Sequence, residues 1–393
     1  MTTELSKLLK AFPEKPWDQE FLNKNPNVRI DDMLTFPRNS KDWFSISQNP
    51  NISTREVLTH CTHDVISLSW YALSEKAFIG DLIDFPEVLL LWSWPRLSIS
   101  PNITMKDIEE HKNMLWEWKH VSANPNITME YINNHPERPW NWNNISENEN
   151  ITMKDVIENP GKPWVWEMLC RFLRLSISDI KIHPDKPWKW DWLSLNPNIT
   201  MEIVNSFPDK PWNWKCLSNN STLHIDDVIS RLNASWDWRL LSMNLNITME
   251  DVNKHPNLPW DWNGLSNNPS ITMKDVLSHI DEPWDWSSLS MNRNITFADV
   301  IAHPDLPWDS ECLCLNPSLS ADDVINNPDS QYWVWSHLSA NRFRYSATEQ
   351  KLAIRKIKNV RAYFHLRIHA KINLSLYQAS LYTDFTNLIM SYH

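Results

Sequence analysis

Apolar and polar positions along this chain recur with a fixed spacing. Around Ile247 the order is a threonine-led segment holding Met249 and Val252, a His255-Pro256 stop, a Pro259-Trp260 pair, Trp262 and Leu265 three apart, and an Asn268-Pro269 exit. Equivalents of Ile247 fall at Val28, Ile52, Ile79 and Ile103 and then every 24 residues to Leu319, with one 27-residue step between Ile52 and Ile79. An incomplete opening stretch with Phe12-Pro13, Pro16-Trp17 and Asn25-Pro26-Asn27 brings the total to about fourteen units.

Each unit predicts two short helices. Thr248 followed three residues later by Asp251 is a capping box, in which the hydroxyl serves a free first-turn amide and the carboxylate returns to the cap amide. The same pair recurs at Thr104 with Asp107, Thr152 with Asp155, Thr272 with Asp275, Thr296 with Asp299, and Ser320 with Asp323. Pro256 and its counterparts limit that helix to about two turns, because proline lacks a donor and clashes with the preceding turn. A shorter α or 3-10 helix is expected to open at Pro259-Trp260, with Trp262 and Leu265 on one side and Trp260 under the previous connector. Asn268-Pro269 closes the unit, since the residue before proline is pushed out of helical geometry. Strands are the competing expectation, but an L-x-L alternation is absent and two prolines per unit would interrupt a parallel ladder.

One such unit cannot bury enough to fold alone, so neighbours must stack. The expected fold is all-α: an elongated, right-handed α-solenoid of about fourteen 24-residue repeats over 1–341, blurred at 57–95 by three extra residues, an off-register Trp70 and the run Leu89-Leu90-Leu91. A bend, a contact surface or simple drift would each account for that blur. From Thr348 the pattern changes, with Ile354, Ile357, Val360 and Phe364 at helical spacing among Lys and Arg, so 342–393 is expected to be a basic helical C-terminal cap.

Composition narrows the chemistry. Only 3 glycines occur, Gly80, Gly161 and Gly264, too few for a phosphate-cradling loop. Five cysteines without paired-ligand spacing argue against a disulfide framework or a zinc site. No apolar run reaches the roughly 20 residues of a membrane span, and the first residues lack a signal peptide's apolar core. A soluble protein of the cytoplasm is therefore expected, with the Asn-x-Thr sequons at Asn102, Asn126 and Asn198 serving as loop chemistry. The net charge of -11 is uneven: from Arg342 onward nine Lys and Arg face only Glu349 and Asp384, leaving an acidic body and a basic end. Nucleic acid could then be met only through that end.

The Asn-Pro-Asn connector and the alternation of a helix with a shorter helix resemble the leucine-rich variant type of α-solenoid. The wording from Trp188 to Thr200, Trp-x-Trp-x-x-Leu-Ser-x-Asn-Pro-Asn-Ile-Thr with one further Trp at 192, is similar to Trp-rich repeat proteins encoded by mimivirus-like giant DNA viruses. The likeness covers about 1–341 and departs from the first family in placing Trp where small aliphatic residues dominate. It implies a viral repeat protein of the host cytoplasm or the virion, and no chemistry.

Candidate sites are few. Most of the 25 Trp fall in two fixed slots beside a fixed Leu, which is how a core behaves; Trp70 and Trp192 escape the slots and are candidate partner anchors. His60, His111, His135, His183, His255, His279 and His303 share one slot, at a helix C-terminus, where imidazole meets free carbonyls. Units about 10 Å apart cannot bring those nitrogens within about 2.1 Å of one zinc ion. Cys170 and Cys314 fall in the slot of Ser146, Ser194, Ser242 and Ser266 and substitute for serine. No catalytic arrangement, cofactor site or metal site stands out, so the expected function is a non-enzymatic protein–protein interaction scaffold. The alternative is a nucleic-acid-binding or virion structural protein acting through the basic end, where Arg355, Lys356, Lys358 and Arg361 would make contact, or where a calmodulin-like protein would bind.

Overall fold

A computed structural model describes residues 3–35, 42–61 and 65–343 of the chain. All regular elements among them are helical, and none exceeds eight residues. Residues 19–151 form one compact unit, and residues 3–18 with 152–343 form a second. The basic segment expected as a C-terminal cap lies, from residue 344 on, outside the described residues.

One repeat of the second unit explains the rest. Thr248 Oγ1 accepts the Asp251 N–H and Asp251 Oδ2 accepts the Thr248 N–H at 2.8 Å, starting the helix Met249–Lys254. The same reciprocal box starts helices at Thr104, Thr152, Thr296 and Ser320. His255 ends the helix at φ -130°, and its carbonyl accepts the indole N–H of Trp260 at 2.9 Å. That bond ties the connector back to the helix it leaves. The second helix, Trp262–Asn267, starts after the Pro259-Trp260 pair and not with it, because Asp261 caps it by accepting the Gly264 N–H at 2.5 Å. Pro259 and Trp260 therefore belong to the turn, not to the helix.

Ile247, Met249, Val252 and Leu265 are buried, and second helices stack on second helices, with Trp238–Met243 against Trp262–Asn267 and that against Trp286–Met291. Rings lock the stack: Trp262 meets Trp284 edge to face at 4.8 Å, and Trp238 meets Trp260 at 5.4 Å. The first unit stacks the same way through Trp94 with Trp116 and Trp118 with Trp140.

Two polar ladders run beside the rings. Ser266 Oγ accepts the Asp285 N–H of the next repeat at 2.9 Å and donates to the Trp262 carbonyl. Asn268 Nδ2 donates to the carbonyls of Ser242, Asn244 and Ile247 in the preceding repeat, at 2.8–2.9 Å. Ser and Asn recur in these slots because each satisfies backbone groups that the short helices leave free. The second unit also draws in the start of the chain, since the helix Glu4–Ala11 packs on Ala321–Asn326.

The irregular stretch keeps the design with substitutions. Short 3-10 turns at Val65–Ser67 and Pro86–Leu91 replace the first-helix exit, leaving Ile66 and Leu90 80% and 89% exposed. Trp70 is not off register in space: it opens the helix Trp70–Lys76 as Trp262 opens its own, so the extra residues are absorbed ahead of it.

Candidate functional site

Trp70 and Trp192, paired by the sequence as slot-breakers, differ in the structure. Trp70 is engaged like any ladder residue, its ring edge to face with Trp92 at 5.0 Å and its indole N–H donated to the Val65 carbonyl at 2.9 Å. Trp192 occupies the third position of the helix Trp190–Leu193, where the equivalent repeats carry Gly264, Asn144, Cys216 or Cys312. Its half-buried ring lies under the Arg171 guanidinium of the preceding repeat at 5.8 Å, and Arg171 also covers Phe172 at 5.0 Å. Phe172, which shares the Arg171 guanidinium with Trp192, is 39% exposed. Lys189 and Glu167 pair at 3.2 Å, and a hydrogen bond to its own backbone amide, then Lys189, holds the Glu167 carboxyl below its usual range. Arg355, Lys356, Lys358 and Arg361 lie outside the described residues.

Tyr131, the His ladder and the slot cysteines serve the structure. Tyr131 donates to Glu109 at 2.5 Å while His135 Nε2 stands 3.5 Å from the same oxygen. Burial first, and the Glu109 bond next, push the Tyr131 phenol far above its ordinary range, so it stays a donor and offers no nucleophile. In the His ladder, His60, His135 and His279 meet helix-end carbonyls as expected, placing Nδ1 near the carbonyl four residues back, at 2.8–3.1 Å. Cys170 Sγ accepts the Lys189 N–H at 3.3 Å and Cys314 Sγ the Val334 N–H at 3.2 Å, the bonds the slot's serines make. Burial pushes both thiols up to about 11, so they remain protonated.

One group escaped sequence reasoning. Lys76 stands in the Asn slot, its ammonium donating to the carbonyls of Asn49 at 2.7 Å and Ile52. Burial lowers it to about 8, with Glu56 pulling the other way. The recurrence of Asn at that slot was the available signal, and the Lys is its one cationic exception among the described repeats.

Among the described residues no three His, Cys, Asp or Glu side chains gather closely enough to hold a metal ion, and no helix is long and apolar enough to cross a membrane. No protein-family model, curated protein or solved structure matches the chain.

Proposed function

We propose that this chain is a non-enzymatic protein–protein interaction scaffold, a viral repeat protein of the giant-virus kind working in the host cytoplasm or the virion. Its fourteen or so repeats would stack as a right-handed α-solenoid. The observation that carries the proposal is the Trp192 surface. Trp192 is the one described tryptophan outside the two ladder slots, and with Arg171 and Phe172 it presents the residue types that dominate interface energetics. Long repeat arrays suit such a role because their surface grows with each unit.

The test is affinity purification of the full chain and of Trp192→Ala from cells, with the affinity of each retained partner then measured. The expected outcome is a partner whose binding falls roughly thirtyfold in the variant, the loss of a hot-spot side chain. Every partner binding both forms equally would remove the Trp192 surface from the proposal.

The split of charge favours a second function, nucleic-acid or virion binding through Arg355, Lys356, Lys358 and Arg361. Nine basic residues follow Asn341 while the body is acidic. A gel shift with DNA or RNA that disappears on truncation after Asn341 is the expected result for that function. Unshifted nucleic acid at low salt would exclude it.

A further inference from the structure

The start of the chain is built as a copy of the surface that one repeat offers to the previous one. In the second unit the segment Phe207-Pro208-Asp209-Lys210-Pro211-Trp212-Asn213 docks on Trp190: Phe207 at 5.6 Å, Trp212 edge to face at 4.9 Å and 82°, and Lys210 over the ring at 5.4 Å. The segment Phe12-Pro13-Glu14-Lys15-Pro16-Trp17-Asp18 docks on Trp335 in the same way, with Phe12 at 5.2 Å, Trp17 at 5.0 Å and 82°, and Lys15 over the ring at 5.2 Å.

The polar ladder continues too. Asp18 N–H donates to Ser339 Oγ at 2.8 Å, as Asn213 N–H does to Ser194 Oγ at 2.9 Å, and the Trp17 indole returns to the Phe12 carbonyl as that of Trp212 returns to Phe207. Upstream, the Glu4 carboxylate accepts the Ala321 N–H at 3.3 Å, and Leu5 and Leu8 are fully buried. Residues 3–18 thus take on Trp335 and Ser339 the place that the next repeat takes on Trp190 and Ser194, although Asp18 and Ser339 are 321 positions apart.

We propose that the face formed by Trp335, Ser339 and the helix Ala321–Asn326 is a docking site for the N-terminal segment as such, so that a second copy of this chain can supply it. The ring, cation and hydrogen-bond contacts described above all come from one short contiguous segment, and none of these depends on the chain linking segment to seat. The seat distinguishes its own segment from another copy's only through effective concentration, which favours the same chain when dilute and exchange when concentrated. The junction between Asp18 and the helix Gln19–Lys24 is where the exchanged segment would leave its own molecule. Such an exchange needs neither the Trp192 surface nor a foreign partner.

Two full-length variants test it. Phe12→Ala/Trp17→Ala carries an intact seat with a broken segment, and Trp335→Ala carries an intact segment with a broken seat. Each alone is expected to sediment as a monomer, and a mixture to give a one-to-one heterodimer of twice the mass. A mixture that stays monomeric, with both variants retaining the wild-type helical circular dichroism, overturns the proposal. Should either variant fail to fold, unaltered protein refolded from denaturant at rising concentration decides the matter. The expected result is a dimer fraction that grows with concentration and that excess synthetic peptide spanning residues 1–18 suppresses. Monomer alone at every concentration overturns the proposal, and so does dimer that the peptide leaves unchanged.

Discussion

The Lys76 ammonium reaches the Asn49 carbonyl at 2.7 Å, making across 27 residues the bond that Asn268 makes to Asn244 across 24. A neutral amide and a cation therefore serve the same structural slot, and they respond differently to pH. Burial depresses Lys76 to about 8 from an ordinary 10.5. Below about pH 8 the amine is charged in both folded and unfolded chains, and the full cost of burying it is present. Between about pH 8 and 10.5 the unfolded chain binds the proton more readily, so stability gained from this group rises with pH. Lys76→Asn should raise stability at pH 7 by on the order of 1 to 3 kcal/mol and flatten that rise. Urea titrations of both forms at pH 7 and pH 9.5 check it; equal stabilities at pH 7 would remove the burial cost.

Gly264 is the one glycine whose absence of a side chain the packing uses. A Cβ there would lie 2.7 Å from the Arg239 carbonyl oxygen and 2.9 Å from Ser242 Cβ, both on the helix Trp238–Met243. In an isolated helix Gly→Ala gains about 1 kcal/mol. Here the methyl would force two stacked helices apart, so Gly264→Ala should lower stability by about 1 to 3 kcal/mol. Gly161→Ala, with nothing within 4 Å of its Cβ position, is the matched control and should change the melting temperature little.

The serine ladder makes a graded prediction. Removing the Ser266 hydroxyl leaves the Asp285 N–H without its acceptor, which costs about 1 to 3 kcal/mol in a buried site. Ser266→Ala should show that loss in thermal unfolding. Ser266→Cys should lose less, because Cys170 and Cys314 already fill the slot with a sulfur acceptor.

How far the sequence could be read follows from the distance between partners. The capping boxes at Thr104, Thr152, Thr248, Thr296 and Ser320 join residues three apart, and they were legible one repeat at a time. The start of the second helix was not, because Pro259 suits a first helical turn, while the choice between turn and helix was made by the Asp261 cap and the Trp260 indole. The Ser and Asn ladders join positions 19 to 26 apart, so periodicity displayed the residues without their partners. The seating of Trp17 on Trp335 spans nearly the whole chain. For the candidate surface, Trp192 stood out as a break in the pattern, but Arg171 is an ordinary residue until stacking brings it over the ring.

Thiol chemistry tests the slot assignment directly. Cys170 and Cys314 are buried, and with thiols near 11 about one in a thousand would be ionised at pH 8 even if reached. Cys216 and Cys312 are only half-buried; burial raises them too, so their advantage is access. Iodoacetamide at pH 8 should therefore label Cys216 and Cys312 in the native chain, while Cys170 and Cys314 react only after unfolding. Mass spectrometry of native and denatured samples reads the difference site by site. Cys170 labelled as fast as Cys216 would mean its sulfur is not held against the Lys189 amide. Cys170→Ser should preserve the fold, since oxygen in this slot accepts the same amide in other repeats at 2.9 Å.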